Sequence, residues 1–349
     1  MEEKRKKARI ASIDSMRVLA IMSVVYLHSI SLNIFDYQEG LPRLLVIITN
    51  QSARFAVPFF FLAAGYFFGK KVQSGIKVRQ LFIQYTKRLL NILGFWSIIY
   101  FFIPISIQEL SHKGLSGILH SRAYFWIVEH PGKLLLEGTY DHLWFLISLI
   151  MALGILTVMI SYGLDKAILW VSLFLYVFGL LGGPYALTPL GFHFPFNTRN
   201  GPFFSTIFLA VGWWLSQNNK LSVKVSTACI ISTAGFLLHT TEVFLLYNIY
   251  GISPMCHDNL IGTPLFGIGV MLFVLAQQDF LQSLNLPALG RYTLGVYVTH
   301  ILFIFLFKPL KPLFSGAVWI VLYPSVTFIC SLLLTILMSK NQYLKKVVM

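Results

Sequence analysis

Charge is scarce in this sequence. Only 11% of its 349 residues are Asp, Glu, Lys or Arg, where a soluble domain carries about 25%. With 56% hydrophobic residues, a water-facing surface could not be covered by polar groups, which excludes an ordinary soluble globule. Acidic residues are scarcest, 13 against 27 basic, for a net charge of +14. That excess does not mark a nucleic-acid partner. The basic residues form no single stripe with interleaved aromatics; they sit in short loops between apolar runs. Cysteine is nearly absent: Cys229 and Cys330 fall in apolar runs and Cys256 in a loop. With no Cys-x-x-Cys or Cys/His spacing, neither a disulfide framework nor a metal site is expected. Internal repeats, linkers, a nucleophile elbow, a P-loop and a dinucleotide fingerprint are also missing.

What is present is phenylalanine, 31 residues, and long apolar runs. A helix needs roughly 20 apolar residues to cross a bilayer. The runs predict spans at 13–33, 52–69, 81–106, 139–160, 167–183, 202–216, 225–246, 260–276, 293–310 and 316–338. The expected fold class is therefore all-α: a polytopic helical bundle of about ten transmembrane helices with the lipid bilayer as its partner. The basic N-terminal run (Lys4, Arg5, Lys6, Lys7, Arg9) leads into the first apolar stretch without a convincing small-residue cleavage site, and reads as a retained helix. An even number of spans puts both termini on one side. With the N-terminus inside, 19 of the 27 basic residues lie on inner segments and 8 on outer ones, so both termini are expected in the cytoplasm. The loop at 107–138, with His112, His120, His130 and Pro131, is then outside. One membrane domain is expected over 1–349, with a basic cytoplasmic N-terminus at 1–12 and a cytoplasmic tail at 339–349.

Ionisable residues within spans carry the functional signal, because hydrocarbon makes them costly. In the first span, Arg17 and His28 are eleven residues apart, about 20° from each other around a helix. Asp14, three residues before Arg17, can pair with it. The stripe is either a functional face, or an Arg snorkelling to the inner headgroups with a His at the outer interface. The second span opens at Arg54, meets Pro58, which kinks or starts it, and ends Ala64-Gly65-Tyr66; Gly65 permits close helix approach. Lys87, Arg88 and Asn91 either bind an anionic phosphate or enforce topology. His142 and Trp144 open the fourth span beside Asp141, as a wet helix end or as site residues. His239 and Glu242 share a face of the seventh span. They orient each other or bind a sugar hydroxyl, unless they mark the outer water boundary. His300 is a site residue or a packed core histidine. Histidines without a nearby Ser or Cys nucleophile point to general-base work on a hydroxyl.

Taken together, these motifs resemble the acyltransferase 3 family of bacterial membrane acyltransferases. Ile13 to His28 is similar to its first-helix signature of an Arg, ten residues and a His. Arg54 to Tyr66 resembles its second-helix pattern, His142-Leu-Trp144-Phe-Leu146 its fourth-helix motif, and Gly295-Val-Tyr297-Val-Thr-His300 its late Gly-Ile-Tyr-x-x-His. The resemblance covers essentially the whole chain, and its size is similar to the enterobacterial common antigen O-acetyltransferase type. It implies a multi-pass protein of the bacterial inner membrane, a cytoplasmic acyl-CoA donor (usually acetyl-CoA) with no permanently bound cofactor, and a cell-surface or lipid-linked glycan acceptor. It also implies that Arg17 and His28 are essential. On that reading His28, Arg17 and Asp14 are catalytic, and Arg17, Arg88, Lys87 and Asn91 bind the donor. Arg54, His142, Trp144, His239, Glu242 and His300 serve the acceptor. Two departures stand out: Asn91 where many members carry a second Arg, and Ala64 in place of the usual Ser. The alternative is a transporter or flippase for a small anionic or lipid-linked solute, although no inverted repeat or pair of broken helices supports it. A structural membrane subunit would leave the ionisable residues in the spans unexplained. Nothing in the sequence assigns an oligomeric state.

Overall fold

The structure, a computed structural model, describes residues 10–31, 34–103, 107–218 and 222–349. The basic run from Lys4 to Arg9 and Lys220, which entered the topology argument, lie outside the described residues. Among those described, helices carry the fold and no strand occurs. In chain order they are α1 (Ala11–Ser29), α2 (Leu41–Ser52), α3 (Ala56–Gln73), α4 (Val78–Phe102), α5 (Ile107–Ala123), α6 (Pro131–Glu137), α7 (Trp144–Ser161) and α8 (Ile168–Leu181). They continue with α9 (Pro202–Gln217), α10 (Val225–Tyr250), α11 (Gly262–Ala276), α12 (Leu286–Leu289), α13 (Thr293–Phe307), α14 (Gly316–Lys340) and α15 (Lys345–Val348).

Each predicted span is largely helical over its described residues, but not all ten helices have the length and apolar character of a crossing. Among the described residues, six helical segments are long and apolar enough to cross a membrane: 11–29, 41–73, 141–161, 225–250, 286–313 and 316–340. The other four fall short for visible reasons. Helices α8, α9 and α11 have 14, 16 and 15 residues, under the roughly 20 a bilayer requires. Helix α4 is long enough, but Arg79, Lys87 and Arg88 dilute its apolar character. The six long apolar helices make this a membrane protein.

Helix α14 shows how the bundle meets lipid. Its inward face carries Trp319, Tyr323, Thr327, Ser331 and Thr335, all buried, at a spacing of four. The opposite face exposes Val318, Val321, Ile329, Leu333 and Leu337. Polar groups point in and apolar groups out, the reverse of a soluble helix and suited to a hydrocarbon surround. Helix α1 is the central strut, packing on α3, α11, α13 and α14, with Ile13, Ala20, Ile21 and Val25 fully enclosed. Close approach of α3 to α9 requires glycine: a Cβ at Gly65 would collide with the Leu209 carbonyl, and one at Gly212 with the Leu62 carbonyl. Gly65 has the packing role its sequence context predicts. Pro58 falls in the first turn of α3, where its missing N–H costs no helical bond, so it starts the helix.

Candidate active site

The eleven-residue spacing on α1 delivers Arg17 and His28 to one cavity of about 890 Å³. Near the start of α1 its wall carries Asp14, Arg17, Lys70, Lys71 and Arg88. Arg17 donates to Asp14 at 3.2 Å. Lys70 and Lys71 close α3, which runs antiparallel to α1, so its last turn meets the first turns of α1. Near the end of α1 the wall carries His28, Arg54, His142, Trp144, Arg199 and Asp258. One groove therefore joins a cluster of cations to a cluster of imidazoles.

The imidazole network fixes proton positions. His28 Nδ1 lies 2.9 Å from the Val24 carbonyl, and His300 Nδ1 lies 2.6 Å from the Tyr297 carbonyl. Carbonyls only accept, so both Nδ1 atoms carry hydrogen. His300 Nε2 is then an acceptor, 3.3 Å from His28 Nδ1–H. This leaves Nε2 as the basic nitrogen of His28. His28 is exposed although it is deep within the bundle, because its exposure is to the cavity. His142 stands behind, its ring centroid 5.5 Å from that of His300. It is 2% exposed, and neither ring nitrogen has a partner. The structure thus brings together three histidines that are far apart in sequence. His300 lies behind His28 rather than on the wall, where it holds the His28 ring.

Opposite them lies an ion cluster. Arg54 donates through Nε and Nη2 to Asn50 Oδ1 at 3.1 and 2.8 Å, through Nη2 to the Met255 carbonyl at 2.7 Å, and through Nη1 to Asp258. Asp258 also accepts from Arg199 Nη1 at 2.7 Å, and the Arg199 guanidinium sits 4.9 Å from the Trp144 ring centre. Burial by itself would raise the Asp258 carboxyl, but Arg199 and Arg54 outweigh burial and hold it below the usual range. Burial, reinforced by Arg54, pushes the neighbouring His257 down to about 4. Sequence reasoning placed Arg54 and Trp144 at the site but missed Arg199 and Asp258. Both sit in connections between helices, where no periodicity marks them. The tetrad Cys256-His257-Asp258-Asn259, polar between two apolar runs, was the available signal. Lys70 and Lys71 were also missed, because a topology role accounted for them.

Four predicted site residues lie elsewhere. His239 is fully buried with both nitrogens satisfied, by Thr263 Oγ1 at 2.9 Å and Gln51 Oε1 at 2.9 Å. Gln51 in turn donates to Asn50 at 3.0 Å, so His239 braces Arg54 from behind. Glu242 accepts from the backbone N–H groups of Ile261 and Gly262 at 3.0 and 2.8 Å, and from the Tyr185 hydroxyl. It caps α11, neutralising donors that a helix start leaves unpaired. Lys87 and Asn91 are exposed and absent from the cavity wall. Arg88 alone of that group lines it, and donates to the Met349 backbone oxygen.

A helical membrane bundle thus encloses a groove with a cationic mouth at one end and a cavity-facing imidazole cluster at the other. The chain belongs to the acyltransferase 3 family: that family's model, described as an acyltransferase domain, matches residues 10–337. Among curated proteins, the chain is 29% identical to a serine/alanine racemase of Enterococcus gallinarum over 71% of this chain and 34% of that protein. It is 26% identical to an amino-acid racemase of Enterococcus faecalis over 84% of this chain and 41% of that protein. The match thus spans about a third to two fifths of the length of these relatives. No solved structure matches.

Proposed function

We propose that this chain is an O-acyltransferase of the bacterial inner membrane. It takes an acyl group, in the simplest case acetyl, from cytoplasmic acyl-CoA and delivers it to a hydroxyl of a cell-surface or lipid-linked glycan, in the manner of the enterobacterial common antigen O-acetyltransferase type. The observation that carries this reading is the single cavity that touches both Arg17 and His28. Along α1 the two are roughly 16 Å apart, a span that the extended arm of CoA covers. Arg17, Arg88, Lys70 and Lys71 bind the phosphates, since clustered guanidinium and ammonium groups favour them. Asp14 orients Arg17. The positive-inside bias puts this mouth, and both termini, in the cytoplasm.

At the other end, His28 Nε2 takes the acceptor hydroxyl's proton as the oxygen attacks the thioester carbon. The C–O bond forms, the C–S bond breaks, and the proton passes from His28 to the departing thiolate. His300 and the Val24 carbonyl hold the ring in the tautomer that leaves Nε2 basic. Arg54, His142 and Trp144 line the space for the acceptor. The racemase names belong to proteins more than twice the matched length, and the activity does not carry over on a match of that extent. A transporter or flippase would use the same groove but leave an oriented base without a task. Purified protein given acetyl-CoA should release CoA, and surface glycans from a deletion strain should lack one acetyl group that complementation restores. Transport without CoA release would overturn the proposal.

A further inference from the structure

We propose that Arg199 is an anion-binding residue at the acceptor end of the cavity, and that the acceptor presents a carboxylate or phosphate group to it. This rests on the transfer reading only in naming the ligand an acceptor; the site itself rests on geometry. The two arginines beside Asp258 are not equivalent. Arg54 is committed on every side, to Asn50, the Met255 carbonyl and Asp258. Arg199 gives Asp258 only its Nη1 corner, and its Nε is buried with no partner. Among the described residues Nη2 has no protein partner, and it is the corner left to an oxygen of a carboxylate or phosphate. Trp144 backs the guanidinium, and Asp258 holds its Nη1 corner, so the free Nη2 is preorganised.

Charge agrees with this assignment. On this part of the wall two guanidiniums share one carboxylate. Glu137 lies near Arg199 but is off the cavity wall and accepts from Asn200; burial and the neighbouring Asp141 raise its carboxyl. An excess cation turned toward a low-dielectric cavity calls for an anion. The same cavity holds His142, 2% exposed with both nitrogens unpaired, able to give or take a hydrogen bond beside the anion. A sugar acid or sugar phosphate carries both features, an anionic group and adjacent hydroxyls.

The test is titration calorimetry of the full chain in lipid nanodiscs with glucuronate, glucose 6-phosphate and glucose. At least one of the two anions should bind about tenfold or more tighter than glucose, and which one does so separates carboxylate from phosphate. Arg199→Gln should weaken that binding to the level of glucose, and Arg199→Lys should fall between. The wild-type comparison stands even where a variant fails to fold. Glucose binding as tightly as both anions, no measurable anion binding, or an Arg199→Gln protein that keeps the anion affinity would each overturn the inference. CoA release in the same preparation separates the two proposals. Release without anion preference removes this site and leaves transfer standing, whereas anion preference without release does the reverse.

Discussion

Glu242→Gln distinguishes a helix cap from a ligand contact. The carboxylate serves three donors, the Tyr185 hydroxyl and the N–H groups of Ile261 and Gly262, of which the Gly262 bond is fully buried. An amide offers one accepting oxygen and turns an N–H₂ toward the rest. At least one of these donors then loses its partner, at about 1–3 kcal/mol. The start of α11 also loses a negative charge, worth about 0.3–1 kcal/mol. The variant should therefore be less stable by about 1–4 kcal/mol in equilibrium unfolding of the detergent-solubilised protein. The fraction that folds should bind acetyl-CoA like the wild type. Unchanged stability with lost glycan acylation would refute the cap and return Glu242 to the acceptor site.

Four further outcomes are expected. Arg17→Ala should chiefly weaken acetyl-CoA binding, by about tenfold or more for a lost charge-assisted phosphate contact. His28→Ala should leave that affinity nearly intact and lower transfer by about 10²–10⁴-fold, so calorimetry and glycan mass spectrometry on both variants check the division of labour. Burial holds His257 at about 4, below the ordinary value near 6.5. The folded chain therefore resists a proton that the unfolded chain accepts. This contribution is whole above pH 6.5, is lost as pH falls from 6.5 to about 4, and amounts to about 3 kcal/mol; Asp258, also depressed, works in the same direction lower down. Unfolding measured across that window should show a smaller slope in His257→Gln. A reporter active only outside the inner membrane should give signal when fused after Lys133 and none after Lys346; the opposite pattern would invert the donor side.

Helical periodicity made the core of the site legible. Arg17 and His28 share a face because eleven residues nearly complete three turns, and no tertiary fact is needed to see it. His142 and His300 were legible as polar interruptions of apolar helices, although their meeting at His28 was not, since it depends on how α1 packs on α13. The same signal misled at His239 and Glu242. An ionisable residue in a span needs a partner, but sequence does not say whether that partner is a ligand or the protein's own backbone. Arg199 and Asp258 escaped because connections carry no period. The number of spans is supported for six segments only, since short apolar helices such as α8 and α9 have the composition of a membrane segment without its length.

The cationic mouth has a kinetic consequence. On the proposed reading, Arg17, Lys70, Lys71 and Arg88 hold phosphates that the loaded donor and the spent carrier have in common, at the end of the groove away from the sulfur. On that reading free CoA competes for the groove almost as well as acyl-CoA does, and leaving it becomes a slow step of the cycle. The rate of surface modification would then follow the ratio of acylated to free carrier in the cytoplasm rather than the amount of either. The envelope would be decorated in proportion to how fully the cell's acyl carriers are charged.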